Sequence, residues 1–176
     1  NTKMEDMDGE EWKRKAQQNS WNSPEKIALD EYASIITAYY EHVLRPIVKR
    51  GQKLDRTTVA LTKSDLEWKV KEPNFENLPF NIKSAYQTFL EFVKVLESST
   101  DSEVKASKDI LKKLFHLSIK CDIYSNGMKY DKGRNPCRTD QYAAFSAIAK
   151  AEEKGSSQLV EAAKKMVDTC LRCPYK

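Results

Sequence analysis

At 176 residues the chain is long enough to bury about 70% of its unfolded surface as one domain, so its stability does not require cross-links. With 32% charged residues, 5 Gly and 6 Pro, the composition is that of a helical protein. Apolar runs are short and broken by Lys or Glu. None approaches the roughly 18 residues needed to cross a bilayer, which excludes a membrane span and reads as a soluble chain.

Residues 1–19 form a polar arm, acidic at Glu5, Asp6, Asp8, Glu10 and Glu11 and then basic at "WKRK". A single helical domain follows over 20–176. Ser23 is suited to cap a helix and Pro24 to open it. Ala28, Tyr32, Ile35, Ile36, Tyr39, Val43 and Ile47 then recur with a helical period. Pro46 should kink or end this helix, and Gly51 is a natural terminator. In 54–70 the alternation of Leu66, Trp68 and Val70 imitates a strand, but no partner strand is evident. The segment therefore reads as a short helix packed through Leu61 and Trp68. "EPNFENLPFN" is a loop, and a strong helix follows with Ile82, Tyr86, Phe89, Val93 and Leu96 on one face. Thr100 and Glu103 have the capping-box spacing. The next helix carries Val104, Leu111, Leu114, Phe115 and Ser118 as far as Cys121. After a loop, two amphipathic helices joined at Gly155 complete an all-α bundle of about five or six helices.

All four cysteines lie in the last third, at Cys121, Cys137, Cys170 and Cys173. If short connections make neighbouring helices antiparallel, the helix ending at Cys121, the one starting after Cys137 and the one ending at Cys173 run up, down, up. That gathers the four thiols at one pole. Cys170 and Cys173 share a helix face and can each reach a different partner. The expected pairing is two disulfides linking Cys121 and Cys137 across to Cys170 and Cys173 in either order, with a local Cys121–Cys137 bridge as the third possibility. Each bond contributes about 2–4 kcal/mol. Cys170-x-x-Cys173 also has zinc-ligand spacing, but Cys121 and Cys137 do not supply the second close pair that such sites use. A thioredoxin-like site opens a helix, whereas this one closes a helix. Disulfides imply an oxidising compartment, so the chain is expected to be secreted and extracellular. A chain opening "NTKMEDMDGEEW" without Met reads as a processed protein or a trimmed one.

The catalytic inventory is thin. His42 and His116 stand alone on helices, without a second His at metal spacing. There is no GxSxG elbow, Walker loop or GxGxxG stretch, and acidic pairs such as Glu152-Glu153 fall on polar helix faces. The expectation is therefore no enzyme, no metal and no cofactor. Charge is more informative. From Glu103 to Arg138, nine Lys or Arg stand against Glu103, Asp109, Asp122 and Asp131, a net of +5. This basic stretch is either ordinary solvation and helix-end complementation or an electropositive pole for an anionic partner. Such a partner is an extracellular protein or an anionic glycan. Nucleic acid is excluded by the inferred compartment and by the lack of interleaved basic and aromatic residues. Between Cys121 and Cys137, Tyr124, Met128, Lys129, Tyr130, Lys132 and Arg134 occupy a loop of the kind that mounts binding residues. An alternative site is an interhelical pocket for a small apolar ligand near Tyr32, Tyr39 and Phe89, although tyrosines at helical spacing are more often plain core.

The "NTK" opening, the all-helical body, the Gly-Lys loop bracketed by Cys121 and Cys137 and the closing "CLRCPYK" together resemble the small helical salivary proteins of blood-feeding mosquitoes. These are the anophensin-like group and the neutrophil-stimulating salivary factor. The likeness is one of architecture rather than of a diagnostic motif. It implies a secreted, non-enzymatic effector acting on host blood or immune-cell proteins, and it maps no functional residue of that family onto this chain. Odorant-binding and D7 proteins carry six cysteines with a Cys-x-x-x-Cys step that is missing here, so their ligand-pocket function does not carry over.

Overall fold

The computed structural model describes residues 24–125 and 137–170, with backbone alone described for 24–26, 119–125 and 170. The described residues are all helical apart from turns. Helix α1 (Pro24–Tyr39) runs through a π turn (Tyr40–Leu44) into α2 (Arg45–Arg50). Next come α3 (Arg56–Lys71), a 3-10 turn (Pro73–Asn77) and α4 (Phe80–Ser98). Then follow α5 (Asp101–Ala106), α6 (Lys108–Ser125), α7 (Arg138–Glu153) and α8 (Gln158–Cys170). Counting the continuous α1–π–α2 rod once, that makes seven helical segments among the described residues, one or two more than expected.

The extra segments have local causes. Pro46 does not end the first helix. The π turn lies immediately before α2, with Arg45 N–H donating to the Tyr40 carbonyl, so Pro46, which has no N–H to give, falls where the ladder passes from the π pattern back to α. The rod stops at Gly51, whose φ of 63° is a conformation that favours glycine. Gly51 N–H donates to the Ile47 carbonyl at 3.2 Å and Gln52 N–H to the Pro46 carbonyl at 3.0 Å, closing the last turn in a Schellman pattern. Thr100 and Glu103 form the expected capping box. The helix that they open breaks at buried Ser107, whose N–H closes α5 and whose carbonyl accepts the first bond of α6 from Leu111 at 3.0 Å.

Helix α4 is the centre of the bundle. Ile82, Ala85, Tyr86, Phe89, Leu90, Phe92, Val93 and Leu96 are buried, a stripe too broad for a surface helix. It packs against α3 on one side and α8 on the other, and against α1. Tyr32, Tyr39, Tyr40, Phe75, Tyr86, Phe89 and Phe92 form a chain of edge-on and tilted rings. Elsewhere the core is aliphatic and small. Ala144, Ala147 and Ile148 of α7 meet α8, whose own face is Leu159, Val160, Ala162, Ala163, Met166 and Val167.

Helix α3 corrects the expectation for 54–70. It is a helix, but Leu61 and Trp68 are 63% and 75% exposed, and Val59 and Leu66 face the core instead. Asp55 caps it, accepting hydrogen bonds from Thr58 N–H at 3.2 Å and Thr58 hydroxyl at 2.8 Å. At its first residue, Arg56 reaches across to the end of α4. It donates to the carbonyls of Glu97 and Ser99, both at 2.7 Å, and pairs with Asp101 of α5 at 3.3 Å. Those carbonyls lack partners within their own helix, so α3 supplies the cap of α4.

Candidate functional site

Two regions are candidates for a functional site: the end of the bundle where α6, α7 and α8 bring their cysteines, and a groove between α1 and α3. The four-residue connection 154–157 and the Lys164–Glu152 ion pair at 3.5 Å make α7 and α8 an antiparallel hairpin. The end of α8, at Cys170, therefore lies toward the start of α7, just after Cys137. Helix α7 also packs on α6, and Asp140 in its first turn lies close enough to His116 to favour that ring's proton. The start of α7 thus sits beside the second half of α6, which runs on through Cys121.

Cys137 is half-buried against the core, and its carbonyl accepts from Gln141 N–H at 2.8 Å to start the α7 ladder. The side chains of Cys121 and Cys170, and all of Cys173, lie outside the described residues, so no pairing can be drawn among those described. Of the loop residues expected to bind a partner, Tyr124 is placed by its backbone in the last turn of α6. Met128, Lys129, Tyr130, Lys132 and Arg134 lie outside the described residues, as does the arm 1–19.

The described part of the basic stretch is a patch on α6. Helix α2 packs on α6, which sets Lys49 beside Lys112, Lys113 and His116. Burial pulls the His116 pKa below its ordinary value, and the fields of Lys112 and Lys49 pull it further in the same direction. Asp140 opposes them and Lys113 adds to them. Arg138 lies over the exposed ring of Tyr142 at 6.0 Å, extending positive charge to the start of α7.

The aromatic residues proposed to line an interhelical pocket are packed against one another. Phe89 is fully buried, with ring centroids 6.2 Å from Tyr32 and 5.2 Å from Tyr39. Open space lies on the other side of Tyr39. There, Ile35, Ala38, Tyr39 and His42 face α3 across a groove of about 450 Å³, within the size range of small-molecule sites. Sequence reasoning missed this groove because its walls are separate segments that helix packing brings side by side. The usable signal was the proline that accompanies the π turn, a feature frequent at functional sites.

The polar lining of the groove has a definite hydrogen-bonding character. Thr62 hydroxyl donates to the Thr58 carbonyl at 2.9 Å and Thr58 hydroxyl donates to Asp55, so both hydroxyl protons are committed. Lys69 is bound to Glu31, lies 3.8 Å from Glu72 and sits over the Tyr86 ring at 5.7 Å. Asp65 makes no ion pair among the described residues. Tyr39 is 4% exposed, and its hydroxyl meets no hydrogen-bond partner among them. Burial alone drives its pKa strongly upward, so it stays a neutral phenol.

Among the described residues, no group of three or more His, Cys, Asp or Glu is placed to hold a metal ion, and no helix is long and apolar enough to cross a membrane. Comparison with protein-family models, curated proteins and solved structures finds no match to this chain.

Proposed function

We propose that this protein is a secreted, non-enzymatic binding protein that engages an extracellular protein or anionic glycan through the cysteine-bearing end of its bundle. Two disulfides among Cys121, Cys137, Cys170 and Cys173 rigidify that end, and Tyr124, Met128, Lys129, Tyr130, Lys132 and Arg134 form the contact surface. A salivary effector acting on host blood or immune-cell proteins is the sharper form of the same reading, and it rests on the architectural resemblance alone.

The observation that carries the proposal is the joining of the cysteine-bearing helix ends to a basic face. The α7–α8 hairpin and the α6–α7 packing direct those ends toward one another. On the same helix α6, Lys112 and Lys113 stand with Lys49 of α2, and the sequence adds Lys120, Lys129, Lys132 and Arg134 beyond them. A surface of one charge sign steers an oppositely charged partner and quickens its encounter.

Two measurements test this. Intact mass before and after reduction should differ by four hydrogen atoms, two for each disulfide reduced; four titratable thiols on the folded, unreduced protein would remove the disulfide-held end. Lys129→Glu, Lys132→Glu and Arg134→Glu together should weaken retention on immobilised heparin and capture of plasma proteins while leaving the helical circular dichroism intact. Unchanged binding would take the loop out of the contact surface.

A further inference from the structure

We infer that the groove between α1 and α3 is a binding site for a small organic cation with an apolar body, of the arylalkylammonium class. This site is separate from the cysteine-bearing end and does not rest on the reading given for it.

Three features of the groove specify that ligand. First, its walls are mainly apolar. Ile35, Ala38 and the Tyr39 ring form one side, and Leu66 and Trp68 lie on the other. Such a lining takes a hydrocarbon body but gives it no polar orientation. Second, the polar atoms that remain are acceptors. The carboxylates of Asp65 and Glu72 can only accept. The hydroxyls of Thr58 and Thr62 have spent their protons elsewhere and present lone pairs. The ammonium of Lys69 is already divided between Glu31, Glu72 and the Tyr86 face, and therefore donates little to a newcomer. A ligand matched to this set must bring donors, and an ammonium brings donors only.

Third, the charge is unbalanced. Among the residues lining the groove, Asp65 and Glu72 bear two negative charges against the single ammonium of Lys69, and His42 on the rim makes no ion pair among the described residues. An incoming cation completes the balance. Trp68, 75% exposed at the edge of the groove, offers the aromatic face that attracts cations most strongly. An anionic or hydrogen-bond-accepting ligand would meet carboxylates and lone pairs instead.

Two further observations bear on the same place. The groove is bounded by the π turn, since His42 belongs to it and Tyr39 immediately precedes it. A wide turn in an otherwise regular helix is costly to keep and recurs at binding sites. Tyr39 lines the groove, and its buried hydroxyl has no hydrogen-bond partner among the described residues.

The test is isothermal titration of the full chain with phenylpropylamine, and with phenylpropanol as the neutral analogue. The amine should bind one site with a Kd on the order of 0.1 mM, as fits a ligand of this size. Phenylpropanol should bind about ten times more weakly or not at all. Asp65→Asn and Trp68→Ala, both at exposed positions that leave the fold intact, should each weaken the amine by about five-fold. Raising the salt concentration should weaken the amine and not the alcohol. Equal affinity for amine and alcohol would make the groove a plain apolar cleft and overturn the inference. Absence of saturable amine binding at millimolar concentration, or unchanged binding by both variants, would overturn it equally.

Discussion

The two halves of the described bundle solve the problem of filling a core in opposite ways. Around α1, α3 and α4 the space is taken by large rings set edge-on, from Phe75 through Tyr86, Tyr32 and Phe89 to Tyr39 and Tyr40. Around α7 and α8 it is taken by alanines and branched aliphatics, with Ala144, Ala147, Ala162 and Ala163 allowing close helix approach. Rings bring much apolar area, but in tyrosine they also bring a hydroxyl that needs a partner. Small residues bring no such debt and leave no slack. The ring-filled half is where the groove, the π turn and an unpartnered phenol occur together. The small-residue half bears Cys137 and Cys170 at its helix ends.

That contrast can be broken at its strongest point first. Phe89 touches three tyrosine rings from the central helix, so Phe89→Ala should destabilise the protein by about 3–5 kcal/mol in urea unfolding. A loss below about 1 kcal/mol would mean that the rings collapse into the space and are not interlocked. The other half should fail in the opposite sense. Ala163 is fully buried, and Ala163→Leu should cost about 1–3 kcal/mol by overpacking. The mirror substitution within the hairpin, Leu159→Ala, should cost about 2–5 kcal/mol.

A smaller effect is expected where the halves join. Thr100→Ala removes the capping box that opens α5 and should cost about 1 kcal/mol, with hydrogen exchange quickened in α5 before α4. Tyr39→Phe should be neutral or stabilising by up to about 1 kcal/mol, because it deletes a buried hydroxyl that has no described partner. The pH dependence is the weakest signal. His116 has a folded pKa below its unfolded one, so the unfolded chain binds more protons as pH falls through the ordinary histidine range. Stability from this group is complete above that range and declines as pH drops through it, and His116→Gln should flatten that part of the profile.

How far the sequence foretold this depends on where one looks. Helix α4 was legible because Ile82, Tyr86, Phe89, Val93 and Leu96 leave one choice of buried face, and all five are buried. The Thr100–Glu103 box was legible because capping is local and needs no tertiary context. Helix α3 was misread for a reason of the same physical kind. Val59 and Leu66 are seven residues apart, and so are Leu61 and Trp68. The two pairs lie about 200° apart around the helix and are equally apolar. Nothing local decides between them; packing against α4 turned Val59 and Leu66 inward and left Trp68 on the rim of the groove. The groove was illegible for want of adjacency, since Tyr39 and Asp65 come together only through the docking of α3. The expected contact residues from Tyr124 to Arg134 were read from composition and turn formers, which carry no information about what a loop meets.

Arg56 lies 41 residues ahead of the first carbonyl it holds, that of Glu97. A chain made from its N-terminus at roughly 5–20 residues per second therefore has the guanidinium waiting for about 2–8 s before the end of α4 exists. The α4–α5 corner can close as soon as it leaves the ribosome, since its keystone is already outside. Reversing that order by circular permutation, with the new terminus between α4 and α3, would leave the final product unchanged and slow its assembly.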